Sequence, residues 1–93
     1  MDDGLEKIKK TKEIVDILDD YNQLSHYISI NDEVGMQKLM QKIGQRYIVE
    51  KYIYNEGKVN YPDTIQGNAM NCCKFLRWLL LSKGVDAIYR KLR

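Results

Sequence analysis

The sequence predicts a mainly α domain with a small two-stranded β element, on three observations. Apolar residues recur at three- and four-residue steps through most of the chain. Three glycines, Gly44, Gly57 and Gly84, fall where those stripes stop. Two short stretches, Lys58–Tyr61 and Val85–Arg90, leave the helical period and read as strands.

Taken in order, Leu5, Ile8, Val15 and Leu18, with Ile14, Ile17, Tyr21 and Leu24, predict an amphipathic helix from residue 5 to about 27. Asn31 or Asp32 then supplies an N-cap. Met36, Leu39, Met40 and Ile43 form the next stripe, with Gly44 expected as the left-handed residue that ends it. A third helix carries Ile48, Val49, Tyr52 and Ile53 and is expected to stop at Gly57. Pro62 suits the first turn of a short polar segment through Gln66, and a last helix runs to Gly84.

Ninety-three residues make one domain, residues 1–93. An apolar fraction of 44% beside a charged fraction of 30% is that of a folded chain, which excludes a disordered tail. No apolar run reaches the roughly 18 residues that span a bilayer, and MDDGLEKIKK has no apolar core of a signal peptide. The expectation is a cytoplasmic protein with reduced thiols and no membrane partner. The many Ile, Lys, Tyr and Asn resemble the bias of AT-rich genomes, such as a low-GC bacterium, its plasmids or its phages.

The net charge of +2 hides an asymmetry. Residues 1–32 set four lysines against eight acids, a balance of −4, whereas residues 63–93 set six basic residues against two acids, +4. A polyanionic partner would be met by the C-terminal third, although a solvated face has the same composition.

The chemistry-bearing stretch is NAMNCCKFLRWLLLSKGVD. Cys72 and Cys73 are adjacent, and neighbours on a helix point about 100° apart, so the two thiols cannot converge on one metal ion. The one histidine, His26, lies far off in sequence among apolar residues and reads as a half-buried structural side chain. No base is placed to activate a cysteine nucleophile. The reading is therefore no enzyme, no metal and no cofactor, with both cysteines acting as small core hydrophobes. On a helical wheel, Cys72, Phe75, Leu76, Leu79 and Leu80 share one face with Cys73, while Asn71, Lys74, Arg77 and Trp78 lie opposite, with no acid among them. Arg and Lys reach guanine edges or phosphates and Asn pairs with adenine, so this outer face has what a recognition helix needs.

YIYNEGKVNYPDTIQGNAMNCCKFLRWLLLSKGVDAIYRK resembles winged helix-turn-helix DNA-binding domains over roughly residues 50–91. The resemblance lies in a helix running into a short strand, a Tyr61-Pro62-Asp63 start to the second helix, an Arg77-Trp78-Leu79 run, and a Lys83-Gly84-Val85 turn into the wing. It implies a winged helix-turn-helix core over 33–93, with residues 1–30 as a separate N-terminal helix. It implies that Asn71, Lys74 and Arg77 read bases and that Arg90, Lys91 and Arg93 lie along phosphates. Lys58, Trp78 and Lys83 complete the candidate DNA contacts.

The expected function is binding of double-stranded DNA, as a transcriptional regulator or DNA-processing accessory of a plasmid or phage. Two half-sites would suit a dimer. The apolar stripe of the N-terminal helix then has two placements, a homodimer interface or a fold back onto its own core. A second resemblance, to the helix and turn of ankyrin repeats, ranks lower, because Gly44, Gly57 and Gly84 do not recur at about 33 residues. It belongs with the alternative function, a small helical protein-interaction module such as an inhibitor or immunity protein.

Overall fold

The computed structural model describes residues 2–56 and 63–91, with side chains placed for 11–56 and 63–84. Four helices follow one another: α1 (Asp2–Ser29), α2 (Glu33–Arg46), α3 (Ile48–Tyr54) and α4 (Ile65–Lys91). The long helices α1 and α4 lie antiparallel, with Ser25 beside Cys73 and Glu13 beside Lys83. The helix α2 packs against both, and among the described residues α3 touches α2 and α4 but not α1. The principal extents are 47 × 28 × 19 Å, so the molecule is about two helices deep.

The chain reversal after α1 is built by its own backbone. Asn31 stands in the left-handed region at φ 58, the Asp32 amide donates to the Tyr27 carbonyl (2.9 Å), and the Asn31 amide donates to the Ile28 carbonyl (3.2 Å). That is the paired closure of a Schellman motif, with Asn31 in the position glycine usually takes. Asp32 then caps α2, its carboxylate accepting from the Gly35 amide at 3.0 Å. Of the two N-cap candidates, Asp32 is the cap and Asn31 the turn.

The core is one cluster: Ile17 and Leu24 from α1, Met36, Leu39 and Ile43 from α2, Tyr47, and Ala69, Cys72, Phe75, Leu76 and Leu79 from α4. Asp20 is the buried polar residue among the described ones, and it is satisfied. The Arg46 guanidinium donates to its carboxylate at 2.7 Å and the Tyr47 hydroxyl at 3.2 Å. The α1 stripe thus folds back onto the chain's own core through Ile17 and Leu24, leaving Val15 and Leu18 outside.

The expected second strand is helix instead. Residues 85–90, expected as a strand, are the last turns of α4, and among the described residues no strand occurs. The partner stretch, Lys58–Tyr61, lies outside the described residues. The physical reason is that an isolated strand leaves its backbone groups unpaired, whereas extending a packed helix pairs each one at once. Gly84 opposes this by only about 1 kcal/mol, and nothing crowds it.

The helix-turn-helix is likewise missing from the described residues. The short polar segment expected through Gln66 is not separate from the last helix: residues 65–70 are the first turns of the same 27-residue α4. Thr64 caps it, its hydroxyl accepting from the Gly67 amide at 3.0 Å. A winged helix-turn-helix therefore does not describe this chain. The expected stop at Gly44 shifts as well: α2 runs on to Arg46 and breaks at Tyr47, whose φ of −119 and ψ of 48 leave the helix.

Candidate interaction surfaces

The helix α3 is inside out. Its apolar side chains Ile48, Val49, Tyr52 and Ile53 are 66%, 66%, 70% and 58% exposed, and none of its residues is buried. Spaced i, i+1, i+4 and i+5, the four form one contiguous stripe. The helix is held from its other side. The Tyr47 and Tyr54 rings stand edge-on to Phe75 at 6.2 and 5.6 Å, and Tyr54 lies 5.2 Å from Trp78. Because the aromatic anchors decide which face turns inward, the aliphatic face is left to solvent. Periodicity alone marks the aliphatic stripe as the helix's packing face; the signal that corrects it is the Tyr47–Tyr54 pair, seven residues apart on the opposite side.

On α4 the wheel separates as expected in part. Cys72, Phe75, Leu76 and Leu79 are buried, while Asn71, Lys74 and Arg77 are exposed. Among the described residues, neither Lys74 nor Arg77 enters an ion pair, and residues 65–84 contain no acid. The same outer face carries Met70 (52% exposed) and Leu81 (66%). Trp78, counted with the DNA contacts, is half-buried and packed against Phe75 at 6.3 Å and against Tyr54, so most of its ring is committed to joining α3 to α4. Lys83 is tied to Glu13 at 3.7 Å. Arg90 and Lys91 belong to the backbone of α4 with undescribed side chains, and Lys58 and Arg93 lie outside the described residues.

The cysteines are unpaired and unreactive by environment. Burial pushes the Cys72 thiol up to about 11, against a weaker opposite pull from Lys51. Burial also raises Cys73, partly offset by the Ser25 hydroxyl 4.0 Å away. Burial likewise raises the Tyr47 phenol. A thiol held protonated is a poor nucleophile and a poor ligand. His26 is exposed on α1 rather than half-buried, its ring 6.2 Å from that of Tyr27. No cluster of three metal-ligating side chains occurs among the described residues, and no described helix is long and apolar enough to cross a membrane.

Comparison with protein-family models, with curated proteins and with solved structures finds no match to this chain.

Proposed function

We propose that this chain is a small helical protein-interaction module and that α3 is the element that meets its partner. The observation that carries this reading is the outward stripe Ile48, Val49, Tyr52 and Ile53. Four such side chains, mostly exposed, leave on the order of 400 Å² of uncharged surface, the size at which a monomer's largest apolar patch is commonly functional. A short helix with one greasy face is recognised by an apolar groove on another protein. The two unpaired thiols favour a reducing, cytoplasmic compartment.

The test places a photoreactive benzophenone at position 52, and separately at exposed Gln23, in cells that make the protein. The reading requires an adduct of defined mass at 52, absent at 23 and abolished by Val49→Asp. Equal labelling at both positions, or none, rejects it.

A second reading, binding of double-stranded DNA, is favoured by Lys74 and Arg77 standing exposed, and without ion pairs among the described residues, on the acid-free outer face of α4. In that case log affinity falls with log salt by roughly 0.9 per phosphate neutralised. Replacing both by Ala weakens binding by about 1–3 kcal/mol for each base that is no longer read. A protein that ignores labelled duplex at about 50 mM salt excludes this reading.

A further inference from the structure

The surface formed by α1 and α4 on the side away from α2 carries its own argument, independent of α3. Around α1, the Asp20 side is taken by α2, through Arg46 at 2.7 Å. The Ser25 side is taken by α4, through Cys73 at 4.0 Å. On a helical wheel the residues further round from Ser25, away from Asp20, include Leu18, Asn22, Val15 and Asp19, with the polar Thr11 and His26 between them, and all six are exposed. Around α4, the residues beyond Cys73 include Arg77, Met70, Leu81 and Lys74, also exposed. Two helices side by side therefore show one outer layer, in which Val15, Leu18, Met70 and Leu81 remain 45–66% exposed.

The Ser25–Cys73 and Glu13–Lys83 contacts fix the register of this layer. Residue 25 stands beside 73 and residue 13 beside 83, so positions whose numbers sum to 96–98 stand level. Asp19 is then level with Arg77, and Val15 with Leu81.

We propose that a second copy of this chain covers this layer, with a two-fold axis along the α1/α4 pair. That operation lays α1 of each copy over α4 of the other without changing level. Asp19 meets Arg77 of the partner copy, and Val15 and Leu18 meet its Leu81, twice over. The alternative two-fold, perpendicular to the helices, sets α1 on α1 and the basic, acid-free outer face of α4 on its own copy, which like-charge repulsion disfavours. Each apolar side chain of the layer is counted twice in such an isologous interface. A net charge of only +2 per copy opposes pairing little.

Sedimentation equilibrium on the full chain and its charge swaps tests this. The wild type is expected to be a dimer. Asp19→Arg alone and Arg77→Asp alone each weaken association by roughly tenfold or more, because like charges then meet. An equimolar mixture of the two variants restores it, since each copy supplies the other's missing sign. Circular dichroism confirms that each variant is folded, and Tyr52→Asp leaves the dimer unchanged, which separates this interface from α3. A wild type that stays monomeric at millimolar concentration overturns the proposal, and so does a dimer that survives both single swaps.

Discussion

Arg46 and Asp20 are bound at 2.7 Å with unequal environments: the Asp20 side chain is 6% exposed and that of Arg46 39%. The carboxylate is the buried partner, and it also holds the Tyr47 hydroxyl. This contact ties the middle of α1 to the break between α2 and α3, so it sets the direction in which α3 leaves the bundle.

The inequality orders two substitutions. Arg46→Ala strands a buried charge, whereas Asp20→Ala leaves a guanidinium that water can reach. Arg46→Ala should therefore destabilise more, by about 2–3 kcal/mol against about 1–2 for Asp20→Ala. Urea unfolding of both variants checks the order; an equal or reversed cost means the pair contributes only as a surface bridge would.

Gly35 is required by close approach. A Cβ there would lie 2.7 Å from Cδ1 of Tyr27 and 2.9 Å from a carboxylate oxygen of Asp32, the α2 cap. Gly35→Ala should lower stability by about 1–3 kcal/mol despite alanine's better helix propensity. Gly44→Ala, with open space around its position, should raise stability by up to about 1 kcal/mol. Thermal unfolding of the pair decides, since propensity alone would move both the same way.

Glu56 ends α3 in the left-handed region at φ 52, its amide donating to the Ile53 carbonyl at 3.1 Å. An L side chain is strained there by about 1 kcal/mol. Glu56→Gly should raise the melting temperature by a few degrees, and an unchanged or lower value would mean the strain is relieved in a way the backbone angles do not show.

Cys72 links stability to pH. Its thiol ionises near 11 in the folded chain and near 9 when exposed by unfolding. Below pH 9 both states keep the proton and the contribution is complete. Between about 9 and 11 only the unfolded chain ionises, so stability falls as pH rises, by at most about 3 kcal/mol. In a Cys73→Ser variant, thiolate absorbance should rise with a midpoint near 11 in the folded protein; a midpoint near 9 would place Cys72 in solvent.

Much of the fold was legible because the long helices are amphipathic in the ordinary sense. Ile17 and Leu24, then Met36, Leu39 and Ile43, are buried at the spacing that marked them. The cap at Asp32 was readable from its residue type. Glycines misled: Gly44 and Gly84 looked like stops, but the helix runs on through each, with open space around both positions. The strand reading of 85–90 failed because β-branched and aromatic residues express a context, and no neighbouring strand supplies it among the described residues. The outward stripe of α3 was hidden for a different reason. Apolar periodicity identifies a face without saying which way it turns, and here Tyr47 and Tyr54 outcompete four aliphatic and aromatic neighbours for the place against Phe75.

The outward turn of α3 is tested most directly by paramagnetic relaxation of methyl groups in the free protein with a soluble gadolinium chelate. Methyls of Ile48, Val49 and Ile53 should broaden strongly, while those of Ile17 and Ile43 stay sharp. Equal protection of both sets would mean that the stripe is covered within the chain and that α3 offers a partner nothing.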